Sequence, residues 1–381
     1  MKNTLNLFAV KVRAYLFYIF IFIACLTFSN PLETFSSFSN LGSISGYKNV
    51  ILMIGDGMGY NHIQVSEAYN ESPLFMTEEA EVFAWAKTRS FDKDITDSAA
   101  SATALSTGEK VKNKHLAIHE GEHFVTMSEF AKAYEKGVGI IATETLTGAT
   151  PAGFTVHNVS RDNTDEIAME QFENEVDFYI GAGKDYYDGK KKEMAMNNLG
   201  YYTDFNKLKA DIDLSFYSEK TIFTRLFASF SSISTTTSSS SKPSLEDLSI
   251  EAINYLNRKY NDKGFFMMIE GSHIDKRAHD NDIFGMIDQL NGFDNAVSAV
   301  VDWARSNGET FVLVTADHET GGLMYHGESK EQLNNSMFTT SDHTGVNVPV
   351  FAYNLKELNL LEDDMIIDNT DIAKLFHAMI R

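Results

Sequence analysis

Four short apolar runs constrain this chain most. Val50-Ile51-Leu52-Met53-Ile54, Gly137–Thr143, Phe265–Ile269 and Thr310–Thr315 carry no charged side chain. A strand with one wet face alternates apolar and polar residues. An unbroken run of this length is the pattern of a strand buried on both faces. Such strands belong to parallel sheets covered by helices, and helical patterns at Thr126–Tyr134 and Asp288–Ser306 lie between the runs. The expected fold class is α/β, a three-layer sandwich with a largely parallel central sheet and helices on both faces.

Each run leads into residues that carry chemistry. The first ends in Gly55-Asp56-Gly57-Met58-Gly59, the third in Glu270-Gly271, and the fourth in Ala316-Asp317-His318-Glu319, while Ile140–Thr143 leads on to Thr150. Ligands of open α/β sheets bind at the carboxyl ends of the strands. Carboxylates and imidazoles gathered there repel one another unless a cation holds them, and Mg²⁺ and Zn²⁺ take this mixture of donors. Asp275 and His279 stand four apart, on one face if the segment after Gly271 is helical. Asp342-His343-Thr344-Gly345 precedes the apolar Val348–Phe351. Taken singly, each has a plain alternative: a surface Asp–His pair, or a cap on the next helix.

Thr96-Asp97-Ser98-Ala99-Ala100-Ser101-Ala102-Thr103 opens a helix well, with a polar cap followed by closely packing small residues. The same geometry puts the Ser98 hydroxyl among unpaired N–H groups, where an anion is favoured.

Charge narrows the functions. Lys and Arg total 32 against 53 Asp and Glu, a formal charge of −21. Phosphate backbones are repelled by such a chain, so no nucleic-acid binding is expected. Any anionic substrate then needs a local cluster of cations. Residues 1–29 read as an export signal, with Lys2, Lys11 and Arg13 before an apolar run over Ala14–Phe28. Cys25, the one cysteine, ends a loose lipoprotein box, so the alternative is a lipoprotein signal ending before it, with a lipid anchor there. The expected location is periplasmic or secreted, anchored to a membrane in the lipoprotein case. No intramolecular disulfide is open to one cysteine. Residues 30–46 read as a flexible leader, 47–381 as one catalytic domain, and about 185–250 as an insertion or cap within it. That insertion holds the low-complexity stretch Ser231–Ser244, expected as a mobile surface loop.

The blocks around Asp56, Ser98, Thr150, Arg161, Glu270, Asp275 with His279, Asp317-His318 and His343 resemble the motifs of the alkaline phosphatases, in the family's order, from about Asn49 to Tyr353. The resemblance implies hydrolysis of small-molecule phosphate monoesters through a phosphoserine at Ser98. It implies two Zn²⁺, one held by Asp275, His279 and His343 and one by Asp56, Asp317 and His318, the latter activating Ser98. It implies one Mg²⁺ held by Glu270 and Thr150, with Asp56 bridging. Arg161 would clamp phosphate oxygens and Lys276 would approach phosphate through water. A homodimer is the implied assembly, with reduced peripheral elements.

Where family members carry Asp or His, two residues before Thr150, this chain has Gly148. Weak Mg²⁺ binding is expected from that loss, together with a Lys276 that lacks an acidic partner and faces phosphate more directly. The rivals are a phosphodiesterase of the same superfamily, which typically lacks the third site and the Arg clamp, and a catalytically inactive binding protein. The other histidines are expected in structural or surface roles, with His157, a helical turn before Arg161, the nearest to indirect contact with the site.

Overall fold

The computed structural model describes residues 43–217, 224–235, 239, 241–356 and 361–381. Among the described residues ten strands form one sheet: β1 (Asn49–Gly55), β2 (Val82–Lys87), β3 (Gly137–Thr145), β4 (Phe178–Ala182), β5 (Leu199–Tyr202), β6 (Arg225–Ser229), β7 (Phe265–Gly271), β8 (Thr310–Thr315), β9 (Val348–Tyr353) and β10 (Ile366–Asp368). Their order is β10-β2-β9-β8-β1-β7-β3-β4-β6-β5. Every pairing is parallel except those of β9, which runs against both β8 and β2.

The four apolar runs are β1, β3, β7 and β8, adjacent at the sheet's centre, and every residue of β1, β7 and β8 is buried. Two of them run on into polar residues. β7 takes in Glu270 and Gly271, paired with Ile54 and Gly55 of β1. Ladder pairing is a backbone property, so it outlasts the apolar side chains that mark the strand in sequence.

Eight helices matter to the site: α1 (Tyr60–Asn70), α2 (Ser98–Thr107), α3 (Met127–Ala133), α4 (Ala149–Gly153), α5 (Leu245–Lys259), α6 (His273–His279), α7 (Ile283–Asn307) and α8 (Asn369–Ile380). They pack in two groups, α5 and α1 with α7, and α4 and α8 with α2, which gives the expected helix–sheet–helix sandwich. All ten residues of α2 are buried. Its small side chains follow from close approach: a Cβ on Gly153 of α4 would lie 2.7 Å from the Cβ of Ala102.

The stretch at about 185–250 is not a cap on the sheet. It supplies two strands of the sheet, β5 and β6, which form its far edge, and the start of α5. Four- and five-residue strands, one reading Leu-Gly-Tyr-Tyr, are too short to leave a run-length signal. Residues 236–238 and 240 of the Ser/Thr-rich stretch lie outside the described residues. The part before them is anchored: Ile233 is buried and Thr235 Oγ1 donates to Asp288 Oδ2 of α7 at 3.0 Å. The expected export signal, Cys25 and the leader as far as residue 42 also lie outside the described residues. The leader's last residues are tied down rather than flexible, since Ile44 N donates to Ala378 O at 2.8 Å and Lys356 Nζ to Gly46 O at 2.7 Å.

Candidate active site

Register places the site. Ile54 pairs with both Glu270 and Thr315, and Glu270 pairs with Ala142, so the carboxyl ends of β8, β1, β7 and β3 form one row. Asp56, Glu270, Asp317 with His318, and Thr150 of α4 follow from the ends of those strands. Because β9 alone runs the other way, the loop before it comes to the same rim and brings His343. Asp56 and Asp317 meet across a tight turn. Gly57 sits at φ +71°, where a Cβ would come 2.9 Å from Asp275 Cα. Only glycine takes that conformation cheaply.

One nitrogen of each candidate ligand histidine is already committed. His279 Nδ1 faces Ser341 O at 2.5 Å and His343 Nδ1 faces Thr96 O at 2.9 Å. A carbonyl only accepts, so in each ring Nδ1 carries the proton and the Nε2 lone pair points inward. Those two Nε2 atoms are 3.2 Å apart, and Asp275 Oδ1 lies 3.3 Å and 3.7 Å from them. Two lone pairs and a carboxylate oxygen converging at this range repel, and a cation among them removes the repulsion. The donor set fits Zn²⁺.

His318 Nε2 collects the second group. Asp317 Oδ2 is 3.1 Å from it, Asp56 Oδ1 3.6 Å and Ser98 Oγ 3.2 Å. Asp317 Oδ1 is engaged by the N–H groups of Gly57 and His318, while its Oδ2 and Asp56 Oδ1 have no hydrogen-bond partner. Asp275 also comes within reach of Asp56 and His318, so it stands between the two groups. Thr320 joins them: its hydroxyl donates to Asp275 Oδ1 at 2.5 Å and accepts from His318 Nδ1 at 3.2 Å. Sequence reasoning missed Thr320, although it follows His318 by two residues.

Glu270 is 0% exposed and, among the described residues, neither carboxylate oxygen has a hydrogen-bond partner; nor does Thr150 Oγ1, on a residue 1% exposed. Buried polar atoms are seldom left this way, and oxygen donors of this kind fit Mg²⁺. Burial, then the charges of Asp317, Asp275, Glu270 and Glu144, push the Asp56 carboxyl well above its usual range. Burial and the charge of Glu144 do the same to Glu270. For Asp317, burial pulls upward but the charge of His318 and the Gly57 N–H bring it down to about 2. The rim holds more negative charge than its own side chains can neutralise.

Ser98 is the first residue of α2. Its preceding Asp97 caps the helix through Ala100 N at 3.0 Å and holds Arg161 Nη1 at 3.2 Å with the other carboxylate oxygen. Arg161 is thereby fixed at the head of the serine's helix. Lys276 does have an acidic partner: its Nζ pairs with Glu144, at the end of β3. That corrects the expectation drawn from Gly148. The sequence offered no signal for Glu144, because it lies four residues from the position where the acid was sought. His157 does not touch the site. It binds Glu170 and Phe124 O and stacks on His123. His62, fully buried, accepts from Gly59 N and steadies the loop after β1.

A parallel sheet whose carboxyl rim gathers carboxylates, imidazoles and a helix-initial serine defines a class of site, one fit to hold divalent cations beside a hydroxyl. The family model of the alkaline phosphatases matches residues 47–204 and 191–337, and the chain belongs to that family. It is similar to alkaline phosphatase 4 of Bacillus subtilis (35% identity over 295 residues, 72% of this chain and 62% of the relative). It is also similar to alkaline phosphatase of Escherichia coli K12 (28% over 411 residues, 87% and 85%). The structure of alkaline phosphatase from the Antarctic bacterium TAB5 superposes with a TM-score of 0.72 at 27% identity, covering 89% of this chain and 98% of that one. The chain spans 62% and 63% of the length of two Bacillus subtilis relatives.

Proposed function

We propose that this protein is an exported phosphomonoester hydrolase that passes the phosphoryl group through Ser98. The observation that carries the reading is the Ser98 hydroxyl, at the head of α2, 3.2 Å from His318 Nε2, with Arg161 held beside it by Asp97. We propose that Asp275, His279 and His343 hold one Zn²⁺, that Asp56, Asp317 and His318 hold a second, and that Glu270, Thr150 and Asp56 hold Mg²⁺. When bound, these cations supply positive charge at the attacking and leaving oxygens and ease deprotonation of serine and water. Variants of the Antarctic enzyme with an acid in place of a histidine are described with Mg bound in a site termed M3, which supports a third cation here.

The chain's own residues define the steps. Ser98 releases its hydroxyl proton to solvent as Oγ attacks phosphorus, the Oγ–P bond forms, and the ester P–O bond breaks with its electron pair on the leaving alkoxide, which takes a proton from water. Water then attacks the phosphoserine, the Oγ–P bond breaks, Ser98 regains its proton and inorganic phosphate departs. Arg161 offers planar, fixed donors to the equatorial oxygens, where charge lies in a loose transition state. The N–H groups opening α2 favour the same anion. Lys276, beside the third site, is proposed to reach phosphate through water.

Metal quantification with turnover of a monoester and its matching diester tests the reading. Wild type should hold two zinc ions per chain and favour the monoester. Ser98→Ala should keep the zinc and lose about 10³-fold or more in kcat. A zinc-free active enzyme, a faster diester reaction or an active Ser98→Ala would each overturn it.

A further inference from the structure

Gly148 caps α4 two residues before Thr150 and offers the Glu270–Thr150 pocket no side chain. The space beside it is filled nonetheless. A Cβ on Gly148 would fall 2.3 Å from Glu144 Oε1 and 3.0 Å from Thr145 O. The turn that puts Glu144 there is closed by Gly148 N donating to Thr145 O at 2.8 Å. From the end of β3 the Glu144 carboxylate reaches Lys276 Nζ, one residue after Asp275. Its side chain is 15% exposed, against 48% for Lys276, so the acid forms the inner half of the pair. Glu144 is also the first charge, after burial, acting on Glu270, and it bears on Asp56. The pocket it faces has its own sign of a ligand in the unpartnered, fully buried oxygens of Glu270 and the unpartnered hydroxyl of Thr150.

We infer that Glu144 replaces the side chain missing at 148: from the end of β3 it holds Lys276 beside the Glu270–Thr150 site and supplies the acid on which Mg²⁺ affinity there depends. The inference rests on the three-cation reading above. It makes Gly148 the residue that leaves the Glu144 carboxylate its place. Any side chain at 148 would collide with the carboxylate that has taken over its role. Glu144 is a positioning residue here, acting through Lys276 and the field at the pocket.

The test is Mg²⁺ binding to the zinc-loaded protein, read by calorimetry and by metal content after dialysis, not by turnover. Glu144→Gln should weaken Mg²⁺ binding about tenfold or more with zinc content unchanged. Gly148→Asp alone should not tighten it, because the new side chain meets Glu144. The double variant Glu144→Ala with Gly148→Asp should recover most of the affinity lost in Glu144→Ala. Wild-type Mg²⁺ affinity in Glu144→Gln, or a double variant no better than Glu144→Ala, overturns the inference while leaving the third site standing. Zinc lost together with Mg²⁺ also overturns it, since Glu144 would then support the whole rim. If zinc-loaded wild type binds no Mg²⁺, the inference falls along with the third site, and the serine and zinc readings remain.

Discussion

Two buried acidic clusters lie at opposite rims of the same sheet and are treated in opposite ways. At the amino rim, Asp177, just before β4, has a side chain 4% exposed. It is met by Lys132 Nζ at 3.0 Å, Lys259 Nζ at 2.8 Å, Val138 N at 3.0 Å and the Tyr260 hydroxyl. Burial alone would raise its pKa, but Lys259 and Lys132 bring it below the usual carboxylate range. At the carboxyl rim, Asp56 and Glu270 are as deeply buried, yet they have unpartnered oxygens and a pKa pushed upward. The fold can bring lysines to a buried acid where it needs a rivet. Where it leaves the acids bare, the countercharge has to come from outside the chain.

The difference can be broken first by stripping the cations. Each ion bound to the folded state alone, at a thousandfold excess over its Kd, adds about 4 kcal/mol, so chelation should cause the largest loss of stability. The stripped protein should also show an inverted pH response. Asp56 and Glu270 have folded pKa values raised above those of the unfolded chain, so the unfolded state binds fewer protons. Stability should therefore fall as pH rises above about 4. Calorimetric melting between pH 4 and 8, with and without chelator, checks this; a stripped protein that melts higher as pH rises would refute it.

Asp177 should respond with the other sign. Its folded pKa is lowered, so its contribution is present above about pH 4 and is lost as pH falls through the folded value. Asp177→Asn should cost about 2 kcal/mol at pH 7, because Lys132 and Lys259, both part-exposed, lose the carboxylate they share, and less as pH drops below 4. Zinc content and kcat should not change. Denaturant melts at two pH values settle it, and loss of zinc would show that the two rims are not independent.

The smallest expected effect sharpens the comparison within the carboxyl rim. Thr320→Val removes the hydroxyl shared by Asp275 and His318 while keeping its shape. Zinc affinity should fall about tenfold without unfolding, as competition with a chelator would show. Unchanged affinity would mean that the ligands are held by backbone alone.

How much of this was legible depends on the residue. β1, β3, β7 and β8 could be read because burial on both faces removes polar residues from a whole run. β5 and β6 could not, because strands of four and five residues are too short to leave a run that stands out. Asp56, Glu270, Asp317 and His318 stood out because a polar residue directly after a doubly buried strand must lie at its end. His343 had no such marker. Its place depends on β9 running against its neighbours, and the resemblance alone pointed to it. Glu144 was hidden because side-chain reach is set by the turn over 145–148. Sequence spacing gives no measure of that turn, so the missing acid was sought at the backbone position instead.

That antiparallel strand has a consequence for how the centre is assembled. Asp56 is made long before His343, so the cation cage proposed above can close only after the loop before β9 has been synthesised. Completion of the cage therefore follows the making of β1, β3, β7 and β8. A product terminated ahead of His343 would carry α2 with Ser98 and most of the sheet, but it would lack the imidazole proposed to complete the cage.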